Sequence, residues 1–209
     1  LKVVMPSTPK DAKGLLISSI FDPNPVIFLE HRWLHNSSGN VPLRNYMTPI
    51  GKALVKKKGK DITIISMSYL TIEAIKVTDI LKKYNIMCEL IDLRSIKPID
   101  WPTIKSSLKK TGKLLVLDTG FTTGSVAGEI IAKLASENYK DFKIPPERMA
   151  MPDVPEPTSY YLTKDFYITQ KEILAKVIQM LKLDKSILKS LKSKNIYHDV
   201  PGDWFEGPF

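Results

Sequence analysis

The sequence predicts an α/β three-layer sandwich with a mostly parallel sheet, and three observations carry that expectation. Aliphatic, β-branched runs at residues 61–67, 88–93 and 113–117 have the length of buried strands. The longer stretches between them repeat apolar residues at helical spacing. Parallel strands need crossovers, which are right-handed and put helices on both faces of the sheet.

The elements follow in order. A helix over residues 11–20, a turn through Asp22, Pro23, Asn24 and Pro25, and a strand at 26–30 make half of an α/β unit. Residues 31–48 read as a linker, because Ser37, Ser38, Gly39, Asn40 and Pro42 interrupt every period. The strand at 61–67 is followed by a helix at 71–84, whose apolar residues include Ile72, Ala74, Ile75, Ile80 and Leu81. A strand at 88–93 leads to a helix at 101–110, opened by Asp100 as cap with Pro102 in its first turn. A strand at 113–117, a helix at 125–138, a short strand at 148–150 and a helix from 170 complete the set.

Composition narrows the function. The 209 residues are 43% hydrophobic and 25% charged, which suits one large globular domain with a real core. No apolar run approaches the ~20 residues of a membrane span, so no membrane partner is expected. The net charge of +9 raises the question of nucleic acid. Its lysines are dispersed over turns and polar helix faces, with few aromatics between them, and no nucleic-acid partner is expected. The single cysteine, Cys88, sits in an apolar run and reads as a core residue of an intracellular protein.

Few residues invite chemistry. Gly120, Gly124 and Gly128 follow a strand and open a helix, but at four-residue spacing they match neither phosphate-binding fingerprint. They suit close helix packing, or amides exposed to an anion. Asp118 stands at the carboxyl end of a parallel strand, where open sheets gather ligands, and equally suits a turn or helix cap. His31 and His35 lack a completing ligand for zinc, and His198 lies in the polar tail. No nucleophile elbow, Cys/His pair or acid/base pair of carboxylates is visible.

Four stretches together resemble the β subunits of the E1 component of pyruvate and branched-chain 2-oxoacid dehydrogenases, within the transketolase-like superfamily. They are residues 1–16 continuing into 24–31, residues 91–100 beginning Ile91-Asp92-Leu93-Arg94, the Gly120, Gly124, Gly128 and Glu129 set, and residues 152–159. The likeness runs over about residues 1–180.

The resemblance implies the tail end of a pyrimidine-binding domain at 1–30, a linker at 31–48, a transketolase carboxy-terminal-like domain at 49–182 and an extension at 183–209. The family's catalytic glutamate and active-site histidine lie upstream of the matching region and map onto no residue here. The chain then reads as a piece of a longer β subunit or one product of a split gene. Thiamine diphosphate and magnesium belong to the assembled enzyme and are not bound by this chain alone. A potassium ion is implied around Ser19, Ile20, Asp22 and Asn24, which also suit a turn with no ion. Implied partners are a second copy through the α/β domain, an E1 α subunit and the subunit-binding domain of the E2 acyltransferase. The compartment is the bacterial cytoplasm, or a mitochondrial or plastid matrix.

Two other readings stay open: a stand-alone regulatory or ligand-binding module using Asp118 and Gly120, and one chain of a split transketolase-like enzyme. Family members often carry His-Glu where this chain has Asp118-Thr119. The extension, with Trp204, Phe205 and Phe209, can pack on a partner or on its own domain.

Overall fold

The strand Ile62–Ser66 (β4) is buried along its whole length, because both of its faces are covered. The computed structural model that shows this describes residues 1–191, 198–202, 204, 205 and 207. Around β4 runs a five-stranded sheet: Leu54–Lys57 (β3), Cys88–Asp92 (β5), β4, Leu114–Phe121 (β7) and Glu147–Met151 (β8). The pairs β4–β5, β4–β7 and β7–β8 are parallel, and β3 is antiparallel on one edge.

Period-two alternation divides the side chains between two cores. Ile62, Ile64, Leu90, Leu115 and Leu117 meet Tyr69–Lys82 (α2) and Gln170–Leu181 (α5), through Leu70, Ala74, Val77, Ile173 and Val177. Ile65, Ile91, Leu114 and Val116 meet Trp101–Thr111 (α3) and Val126–Glu137 (α4), through Ile104, Leu108, Ala127, Ile130 and Leu134. The three-layer α/β sandwich is therefore present as expected.

Local chemistry sets the helix ends. The Asp100 carboxylate accepts the Thr103 amide at the start of α3, and Gly112 ends that helix at φ +72°. Thr169 and Glu172 form a reciprocal capping box on α5.

Three short strands escaped the sequence pattern: Lys2–Val4 (β1), β3 and Ser95–Lys97 (β6). Segments of three or four residues are too brief to display a period. They matter, because β1 pairs in parallel with Val26–Phe28 (β2) and antiparallel with β6. The amino-terminal segment, with its helix Pro9–Ile20 (α1), is therefore no bare helix and strand; it hydrogen-bonds to the chain that leaves β5. The strand β7 also runs on to Phe121, past the expected end at 117, with a register shift against β8.

In the extension, Leu183, Leu188, Leu191 and Trp204 pack against the core shared by α2 and α5. Phe205 lies near Trp33, with ring centroids 6.3 Å apart. The expected aromatic Phe209 lies outside the described residues.

Glycines give a direct test of this packing. A Cβ on Gly59 would fall 2.1 Å from the Met87 carbonyl oxygen, a backbone atom fixed at the start of β5. A Cβ on Gly128 would fall 2.6 Å from an Arg148 guanidinium nitrogen, the movable end of a long side chain. Gly59→Ala is expected to cost about 2 kcal/mol or more by urea denaturation. Gly128→Ala, offset by the better helix propensity of alanine, is expected to stay within about 1 kcal/mol of the parent.

Candidate functional site

Open parallel sheets place their ligands beyond the carboxyl ends of the strands. Here that edge holds Ser66 at the end of β4, Asp92 at the end of β5 and Asp118 in β7. The loop between β1 and α1 comes down over the first two. The Ser7 hydroxyl donates 3.0 Å to Asp92 Oδ1 and lies 3.1 Å from Thr71 Oγ1, which lies 3.0 Å from Ser66 Oγ. The Lys56 ammonium, on β3, lies 3.6 Å from Asp11 Oδ2 and 4.0 Å from Asp92 Oδ2. Arg94 completes the junction, donating 2.9 Å to Asp11 Oδ1 and also to the Lys52 carbonyl.

The two carboxylates respond oppositely to this setting. Burial pushes Asp11 upward, but bonds from the Thr8 hydroxyl and the Arg94 guanidinium outweigh it and hold the acid below its usual range. Asp92 is fully buried. Burial raises it to about 7, against the pull of Lys56 and the Ser7 hydroxyl. Lys56 is too far away to hydrogen-bond, and Asp92 Oδ2 is left without a hydrogen-bond partner. A carboxyl group of this kind carries a proton near neutrality.

Asp118 has a different task. Its Oδ1 accepts the Gly120 amide at 2.9 Å and its Oδ2 accepts the Ala127 amide at 2.8 Å, while Ser125 accepts the Gly128 amide at 3.0 Å. The carboxylate thus stitches the end of β7 to the start of α4. The Gly120, Ala127 and Gly128 amides, which a phosphate at this helix start would use, are engaged by the chain's own side chains. Gly124 adopts φ +71°, and Gly128 makes room for Arg148.

The residues named for a potassium ion lie together at the end of α1. Ser19 donates to the Leu15 carbonyl, and its own carbonyl accepts the Asp22 amide at 3.4 Å. The Asp22 carboxylate takes the Lys2 ammonium and two bonds from Asn24. Ile20 is exposed. An ion here would have to displace Lys2 or rely on carbonyl oxygens.

His31 is packed between the rings of Trp33 and Tyr69, and burial lowers it to about 4, so the imidazole is neutral. His35 lies 3.9 Å from Glu30, and the His198 ring lies against Tyr160, tilted by 45°. Burial pushes the Cys88 thiol up to about 12. Among the described residues no three metal-ligating side chains converge. No helix is long and apolar enough to cross a membrane, again among the described residues. The polar junction was missed from sequence, although its core residues Asp92 and Arg94 lie inside a motif already singled out; their meeting with Ser7 and Asp11 needed the tertiary fold.

This geometry defines a class: an open α/β sheet with an antiparallel edge strand, whose carboxyl edge is sealed in part by a second small sheet. The family model described as the transketolase C-terminal domain matches residues 51–173, and the chain belongs to that family. It is 44% identical over 165 residues to the pyruvate dehydrogenase E1 component subunit beta of Rhizobium meliloti, covering 78% of this chain and 36% of that protein. It is 37% identical over 177 residues to the 2-oxoisovalerate dehydrogenase subunit beta of Bacillus subtilis, covering 84% of this chain and 54% of that protein. The chain thus spans about half or less of these relatives. A solved structure titled a split gene transketolase, inactive beta4 tetramer, shares the fold with a TM-score of 0.70 at 22% identity, over 88% of this chain and 58% of that one. The kinship expected from the four sequence stretches is met by these relatives.

Asp92 makes a prediction about pH. Its folded pKa is raised, so the folded state holds the proton more tightly than the unfolded one. The stability this confers is fully present below the unfolded value and is lost as pH rises through about 7. In thermal melts from pH 4 to pH 8, the parent should lose Tm relative to Asp92→Asn, and the two curves should run parallel below pH 4. A constant gap across that range would show that Asp92 is not the titrating group.

Proposed function

We propose that this chain is the carboxy-terminal portion of the β subunit of a thiamine-diphosphate-dependent 2-oxoacid dehydrogenase. The observation that carries the proposal is identity of 37–44% to β subunits of such enzymes, sustained over more than three quarters of the chain. In the whole enzyme, the bound cofactor supplies decarboxylation of a 2-oxoacid and transfer of the acyl group to a lipoyl carrier. The task of this chain is assembly: pairing with a second copy through the α/β domain, joining an α subunit, and docking the E2 acyltransferase. Exposed apolar residues support an association surface, notably Leu16, Ile20 and Phe21 at the end of α1. The compartment is the bacterial cytoplasm or an organelle matrix, in keeping with the sources of the relatives.

With the Gly120, Ala127 and Gly128 amides taken by Asp118 and Ser125, this chain alone should not hold the cofactor. Calorimetric titration of the chain with thiamine diphosphate and magnesium is expected to give no heat of binding, and micromolar affinity would refute the reading. Co-expression with an E1 α subunit should yield a co-purifying complex.

We further propose that residues 19–24 hold potassium through backbone carbonyls of Ser19, Ile20, Asp22 and Asn24 once Lys2 is displaced. Potassium at saturating concentration should then raise Tm more than sodium or choline at equal ionic strength, by the mass-action stabilisation of a native-state ligand. Replacing Lys2 with Met should enlarge the difference, because the competing ammonium is gone. Equal curves in the three salts would remove the ion from the proposal.

A further inference from the structure

Across the sheet from α3 and α4, residues 188–191 and 198–202 of the extension line, with α2 and α5, a cavity of about 410 Å³. Its walls include Trp33, Glu73, Tyr167, Gln170, His198 and Gly202. Glu73 is 1% exposed. Its Oε1 accepts the Gly202 amide at 3.3 Å and the indole N–H of Trp204, while its Oε2 has no hydrogen-bond partner. These donors are neutral, and among the described residues no basic side chain forms an ion pair with Glu73. A buried carboxylate without an ion-pair partner costs several kcal/mol, so it either holds a proton or takes up a cation. Burial raises the Glu73 acid, against the bonds from Trp204, Gly202 and Gln170 and the more distant pull of Lys76.

The surroundings favour a cation of a particular kind. Trp33 stands edge-on to Tyr69 at 4.8 Å and to Tyr167 at 5.1 Å. The Tyr69 hydroxyl is buried and has no partner. Glu156 accepts the Tyr167 hydroxyl at 2.7 Å, and the tyrosine is raised first by burial, then by Glu156 and Asp199. Acids gather in this corner of a chain that carries a net +9: Glu73, Glu156 and Asp199 all act on the neighbouring tyrosines. Among the described residues the one lysine on its wall, Lys171, is exposed to solvent. Aromatic faces beside carboxylates attract organic ammonium ions by cation–π and Coulomb forces together, and a cavity of this size accommodates a small one.

We propose that the cavity between α2, α5 and the extension binds a small organic ammonium ion, with Glu73 as its counter-charge and Trp33 and Tyr167 as its aromatic walls. The test is calorimetric titration of the full chain with choline and with its uncharged isostere 3,3-dimethylbutanol. Choline should bind saturably, and the alcohol at least about tenfold more weakly, since the two differ chiefly in charge. Glu73→Gln and Trp33→Leu should each weaken choline by about tenfold or more, and leave the weak alcohol binding unchanged. Equal affinity for the two ligands, or no saturable binding of choline to the parent, overturns the proposal. The two-ligand comparison uses the parent protein, so it holds whether or not either variant folds.

Discussion

The buried ion pair between Arg94 and Asp11 fixes how the two sheets of this molecule meet. Arg94 stands two residues past the end of β5, with φ +55°, and from that turn its guanidinium reaches α1. The same turn starts β6, which pairs with β1, and the Met5 amide bonds the Arg94 carbonyl at 2.8 Å. Removing one member of such a pair leaves a buried charge uncompensated, at a cost of about 3–5 kcal/mol. Directional bonds of this kind set one docking angle, where an apolar contact would permit several.

That docking explains the division of labour along the carboxyl edge. Asp92 is engaged by Ser7 of the amino-terminal loop, Ser66 is joined to that loop only through Thr71, and Asp118 is engaged by its own helix start. The place where this type of sheet often presents a ligand is therefore filled by the chain itself. A further cavity lies to one side, where part of the extension lies over α2 and α5.

The charge balance acquires a different meaning in three dimensions. The lysines that give the chain its +9 are spread over helix faces and turns, several in ion pairs such as Lys105 and Lys133 with Glu137. Exposed pairs of this sort add little stability. Among the described residues the buried acids are Asp11, Glu73, Glu89, Asp92, Asp100 and Asp118, each with its own donors. Glu89 illustrates the rule. It is held below its usual range, despite burial, by Lys110, the Gly59 amide and Ser107.

The sequence by itself determined the α/β class, the order of the long elements and the cap at Asp100. Those depend on period and on chemistry within a few residues, both of which a linear chain displays. It also carried the family likeness, through the Ile91-Asp92-Leu93-Arg94 and Gly120-to-Glu129 stretches. Tertiary structure alone decided the rest. Three strands of three or four residues have no readable period and exist because a partner strand accepts them. The meeting of Ser7 with Asp92 spans 85 residues, and that of Glu73 with Trp204 spans 131. Only the folded chain brings such groups together, and burial then shifts their proton affinity in a way no local spacing encodes.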